Sequence, residues 1–209
     1  MPSLPHAFRR VLYGRPIVVV SGLPRSGTSM MMKMLEAGGL PVWVDGIRAA
    51  DGQNPTGYYE LERVKDLHKP IDKRWVRDGR GRAVKVISSL LEHLPPTNNY
   101  RVVFMQRDLG EVLASQSRML EDRGERGGDA SDEQLRVYYE RHLRKVKYFL
   151  ARSQAFSALE VDYAAAVADA EAVAKRVSDF LGGALDVTAM SRVADRSLYR
   201  NRASERAGP

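Results

Sequence analysis

The segment from Ile17 to Leu35, IVVVSGLPRSGTSMMMKML, restricts what this chain can fold into more than any other part of it. Its opening run of β-branched residues, Ile17 to Val20, has the unbroken apolar character of a parallel strand buried on both faces. The run stops in a tight loop, Ser21-Gly22-Leu23-Pro24-Arg25-Ser26-Gly27, and an apolar helix begins near Thr28. A strand, a glycine-bearing loop and a helix N-terminus in succession are how α/β proteins hold a phosphate. Loop N–H groups and the positive end of the helix dipole converge on one anion.

The spacing comes close to a Walker A loop, G-x-x-x-x-G-K-[ST]. Gly22 and Gly27 take the glycine places and Ser29 the hydroxyl place, but Thr28 stands where the lysine belongs. That lysine bridges the terminal phosphates of ATP or GTP, so its absence counts against an NTPase. The cation of this loop is Arg25.

The rest of the chain reads as alternating strands and helices. Strands are predicted at 40–44, 82–88, 101–108 and 156–163, and helices at 28–37, from Asp108 to about Asp122, at 132–152 and from Asp169 to Gly182. Met30, Met31, Met34 and Leu35 form the core face of the first of these helices. The fourth strand closes in Gln106-Arg107, with Asp108 and Glu111 predicted as a capping box for the helix behind it. Arg107 is thereby a fixed cation at the carboxyl end of a strand, where open α/β sheets bind ligands. The segment Asp45–Trp75 is a long polar connection, the kind that carries function in compact domains. His68 in it has no ligand-spaced partner and reads as a surface residue, His93 reads as structural, and His142, on the apolar stripe of its helix, reads as a packed core-edge histidine.

With 209 residues, 44% hydrophobic and 28% charged, the chain is expected to be one soluble domain without a linker or repeat. No apolar run approaches the ~20 residues of a membrane span, and the first residues hold no apolar core of a secretory signal. The absence of cysteine excludes disulfides and thiolate metal sites and fits a cytoplasmic location. The net charge of +7 comes from basic residues scattered among acids. That distribution fits a small polyanionic ligand rather than nucleic acid, which would need a dense basic stripe.

Four stretches in order carry a family resemblance. PRSGTS (24–29) resembles the 5′-phosphosulfate loop of PAPS-dependent sulfotransferases, P-[KR]-S-G-T-[TS]. FMQRDLGEVLASQSRM (104–119) resembles their 3′-phosphate motif, with Arg107 and Ser115 at the family's Arg-to-Ser distance. AVKVISSLLEHLPP (83–96) resembles the strand and turn bearing a catalytic lysine, and VDYAAAVADAEAVAKRVSDFLG (161–182) the family's late Tyr-to-FLG segment. The resemblance implies a three-layer P-loop NTPase-like α/β fold, a mainly parallel sheet flanked by helices. It also implies PAPS (3′-phosphoadenosine 5′-phosphosulfate) as donor, 3′,5′-ADP as product, and no metal.

By the same resemblance the 5′ end would lie on Pro24, Arg25, Ser26, Gly27, Thr28 and Ser29, and the 3′-phosphate on Arg107 and Ser115. Tyr163 would lie at the adenine, and Arg25 and Lys85 would stabilise the leaving oxygen. Two departures stand out. Many members carry Lys-Thr-His where this chain has Lys85-Val86-Ile87, so the histidine base is missing. Asp45, slightly ahead of Glu60, is the candidate to replace it, as other branches use a carboxylate after the first helix. The late Arg-Lys-Gly loop also lacks a clear counterpart, with Arg200 taken as its candidate beside Arg196 and Arg202. The acceptor would be a small molecule, carbohydrate or peptide bearing a hydroxyl or amine, facing residues 45–75 and 120–135, with Tyr58, Tyr59 and Trp75 as a stacking wall or as core. Oligomeric state stays open, a homodimer among the options. The rivals are a P-loop kinase of small molecules and a non-catalytic binder of 3′,5′-ADP.

Overall fold

Strand β1 (Ile17–Gly22) is buried along its whole length because it lies at the centre of the sheet. The computed structural model describes residues 6–46, 59–122, 124 and 130–194. On one side of β1 runs β2 (Ala83–Lys85). On the other run β3 (Tyr100–Gln106) and β4 (Phe156–Asp162), giving the order β2-β1-β3-β4 with every pair parallel. Val19 sits opposite both Val84 and Val102, so the valine-rich centres of three strands share one level.

The two faces follow from strand alternation. Ile17 and Val19 point into a core with Leu67, Trp75, Leu91, Tyr100 and Phe104, closed by Val146 and Leu150 of α4 (Asp132–Arg152). Val18 and Val20 point into a second core. It is filled by Met31, Met34 and Leu35 of α2 (Thr28–Ala37), by α5 (Tyr163–Ala168) and α6 (Ala170–Leu181), and by Met190 of α7 (Val187–Ser191). The fold is thus the three-layer α/β arrangement expected. Before β1, α1 (His6–Tyr13) is fastened through Arg9, whose buried guanidinium donates to Asn99 Oδ1 and to the carbonyls of Pro96 and Asn98. Among the described residues no helix is long and apolar enough to cross a membrane.

Several boundaries differ from expectation. The stretch 40–44 makes only a single parallel bridge, Val42 to Ala83. Pro41 has no N–H to give, and β2 beside it is only three residues long, so no ladder propagates. The strand expected over 82–88 stops at Lys85 and turns into a short 3₁₀ segment, Ser88–His93. Tyr163 is not a strand residue but opens α5, capped by Asp162, whose Oδ1 accepts from the Ala165 N–H at 2.8 Å. The box at α3 (Leu109–Asp122) is half formed: Asp108 Oδ1 accepts from the Glu111 N–H at 3.0 Å, while the Glu111 side chain turns to Arg107.

Candidate active site

The loop after β1 is shaped by contacts only glycine allows. Gly22 is packed so closely that a Cβ there would lie 2.5 Å from Ser26 Oγ and 2.6 Å from the Met105 carbonyl oxygen. Gly27 has φ +92°, and a Cβ on it would sit 2.3 Å from the ring of Tyr163. Arg25 adopts φ +70°, a left-handed conformation uncommon for a side-chain-bearing residue. Ser26 is turned inward: its hydroxyl donates to the Leu23 carbonyl at 2.7 Å, so it holds the loop's shape rather than facing its mouth. Pro24 is exposed and brings no N–H, whereas Thr28 and Ser29 are half-buried in the first turn of α2. Gly27 is the N-cap of that helix and brings no capping side chain, and the positive end of the helix dipole lies at the loop.

The carboxyl end of β3 reaches the same loop. Arg107 Nη1 donates to the Arg25 carbonyl at 3.2 Å, and Arg25 Nε donates to Ser115 Oγ at 2.9 Å. The two cradles expected from the sequence therefore share a wall. Arg107 is held beneath by a buried ion pair with Glu111, Nε to Oε2 at 2.8 Å, and its guanidinium lies over the Tyr163 ring, 4.5 Å from the centroid. Tyr163, expected at an adenine, is buried under the loop, with its ring against Gly27 and beneath the Arg107 guanidinium.

Lys85, at the end of β2, completes the cationic lining. Its Nζ lies 3.4 Å from Ser29 Oγ and 3.5 Å from Glu60 Oε1, and its side chain is 10% exposed. The two carboxylates in the connection face different ways. Asp45 is exposed and caps the 3₁₀ turn Glu62–His68, accepting from the Glu62 N–H at 2.5 Å, while Glu60 turns inward toward Lys85. Asp108 likewise caps α3.

A model of the sulfotransferase domain matches residues 15–206 of this chain. The chain belongs to the sulfotransferase family. Among solved structures, mouse sulfotransferase SULT7A1 complexed with PAP is similar at a TM-score of 0.53 and 13% identity, over 99% of this chain and 73% of that one. Retinol dehydratase in a complex with retinol and PAP reaches a TM-score of 0.49 at 17% identity, over 90% and 67%. The sulfotransferase domain from the curacin biosynthetic pathway reaches 0.46 at 15%, over 80% and 74%. No curated protein sequence matches.

In this sulfotransferase the position after Lys85-Val86, where the resemblance leads one to look for a histidine, is the exposed Ile87. Trp75, considered for a stacking wall, is core: its ring meets Trp43 edge-on at 5.6 Å. Arg196, Arg200, Arg202 and Tyr58 lie outside the described residues, as does much of the acceptor-facing stretch. Two features went unread in the sequence. Glu111 looked like a cap because its spacing from Asp108 fits one, and only the fold turned it under Arg107. Tyr59, adjacent to Glu60, has φ +50° and gave no local signal of that conformation.

Proposed function

We propose that this sulfotransferase moves the sulfonyl group of PAPS to a hydroxyl or amine acceptor by in-line displacement. The observation that supports it most is the chain of contacts Lys85–Ser29, Arg25–Ser115 and Arg107–Arg25 carbonyl, which gathers three cations around the N-terminus of α2. A donor with a phosphosulfate at one end and a phosphate at the other matches that lining. The Thr28 and Ser29 hydroxyls and the first amides of α2 would receive the 5′ end, and Arg107 with Ser115 the 3′-phosphate.

PAPS, when bound, supplies the sulfonyl group; the chain's own residues supply charge and a proton acceptor. Arg25 and Lys85 would stand against the oxygen that bridges sulfur and the leaving 5′-phosphate, where negative charge grows as the bond breaks. Fixed charge at such a position is usually the largest catalytic contribution. Glu60 would accept the acceptor's proton. Its carboxylate faces Lys85. A bound sulfonate would give Lys85 a second anion to face and leave a Glu60 oxygen available as base.

Isothermal titration with 3′,5′-ADP, 5′-AMP and Mg-ATP tests the donor. The 3′,5′-ADP should bind at least tenfold more tightly than either of the others. Equal affinities would overturn the donor assignment. Transfer from ³⁵S-labelled PAPS to 2-naphthol or 2-naphthylamine, with Lys85→Ala as the inactive control, tests the reaction itself.

A further inference from the structure

Tyr59 occupies the left-handed region at φ +50°, and it is one of two non-glycine residues among those described that do so. The other, Arg25, lies in the anion loop. A bulky aromatic residue holds this conformation only where its surroundings over-determine it. Here the Tyr59 hydroxyl donates to Glu36 Oε2 at 2.6 Å. Glu36 belongs to the last turn of α2, the helix whose first turn faces the anion loop. On the far side of Glu60 the backbone is held again. The Asp45 N–H donates to the Glu60 carbonyl at 3.3 Å, and the Asp45 carboxylate accepts from the Glu62 N–H. Between these two fastenings the Glu60 carboxylate points at Lys85, with Lys65 3.7 Å from its other oxygen.

We propose that Tyr59 is a positioning residue for sulfonyl transfer: its hydroxyl, latched to Glu36 of α2, keeps residue 59 left-handed and so aims Glu60 at Lys85. The inference rests on Glu60 being the proton acceptor proposed above. Were residue 59 free to relax to negative φ, the chain would leave it in another direction and carry Glu60 off the line to Lys85. Burial and the neighbouring Glu36 charge raise the pKa of the Tyr59 hydroxyl, so it stays a donor throughout the working pH range. Because the latch ends on α2, the base and the anion loop are tied to one rigid element, and positioning on such an element is the more exact kind.

The experiment compares Tyr59→Phe, Glu36→Ala, Glu36→Gln and Glu60→Gln in two assays. In turnover of PAPS with 2-naphthol, Tyr59→Phe and Glu36→Ala should each lower kcat by about 10–100-fold, with the 3′,5′-ADP affinity unchanged. Glu36→Gln, whose amide oxygen still accepts from the tyrosine, should recover most of the rate. The double variant Tyr59→Phe/Glu36→Ala should be no slower than either single one, as expected of two ends of one bond.

The second assay needs no turnover: acetylation of Lys85 by an N-hydroxysuccinimide ester, read by mass spectrometry against Lys175. Losing the latch should free Lys85 from Glu60 and raise its acetylation at least threefold, matching Glu60→Gln. If Glu60→Gln leaves turnover intact, the proton-acceptor reading fails, while the acetylation pattern still decides the latch. If Glu60→Gln is inactive but Tyr59→Phe matches wild type in both assays, the latch is refuted.

Discussion

Replacing Arg107 separates a fold contribution from a ligand contribution, and the structure says how large each should be. Its side chain is 8% exposed and pairs with the 3% exposed side chain of Glu111 at 2.8 Å. Arg107→Ala therefore strands a carboxylate in the interior. Breaking a buried pair in this way costs roughly 3–5 kcal/mol, which in a domain of this size lowers Tm by roughly 6–20 °C. The double variant Arg107→Met/Glu111→Leu removes both charges and fills much of their volume. It also removes the Arg107 donor to the Arg25 carbonyl, and its Tm should stay within roughly 5 °C of wild type. Scanning calorimetry measures the fold side. Titration of the stable double variant measures the ligand side, where the preference for 3′,5′-ADP over 5′-AMP should vanish. A charge-assisted contact of about 1.5–3 kcal/mol corresponds to a loss of roughly 10–100-fold in affinity. Equal destabilisation of single and double variants would refute the buried-carboxylate argument. A double variant that still prefers 3′,5′-ADP would refute Arg107 as the phosphate contact.

Gly27→Ala should disable the loop, since its Cβ would land 2.3 Å from the Tyr163 ring at a φ that alanine avoids. A loss of about 2–4 kcal/mol and of 3′,5′-ADP binding is expected by denaturant melts and titration, and normal binding would show that the loop tolerates the shift. Glu60→Gln should lower turnover by about 10²–10⁴-fold with donor affinity kept. Asp45→Asn should leave turnover near wild type and weaken only the 3₁₀ cap, by no more than about 1 kcal/mol; the reverse pattern would restore Asp45 as the base. His142 lies 2.8 Å from Ser88 Oγ, beside a cavity of about 200 Å³, and burial, followed by the charge of Lys145, lowers its pKa below the usual histidine value. The folded state thus favours the neutral ring, and its contribution is full above about pH 6.5 and is lost as pH falls through the lowered folded value. Between pH 7.5 and 5.5 the Tm of His142→Gln should fall less than that of wild type, and parallel losses would rule the group out.

The first crossover and the helices were legible locally. A run of β-branched residues, a glycine pair, Met31 and Leu35 on one stripe, and the Gly182 stop each encode their own conformation within a few residues. Family motifs added the positions of Arg25, Lys85, Arg107 and Ser115, which the fold then brought to one loop. What local pattern did not reveal depended on neighbours remote in the chain. Strand 40–44 failed because its partner β2 is short. Glu111 left its capping place because Arg107 needed a buried counterion. Glu60 and Asp45 carry the same carboxylate in the same connection. Only the packing of that connection against α2 and β2 turned one toward Lys85 and left the other to close a turn in solvent. Chemistry of a residue type is a local property, but the direction in which a side chain points is set by contacts made across the whole sheet.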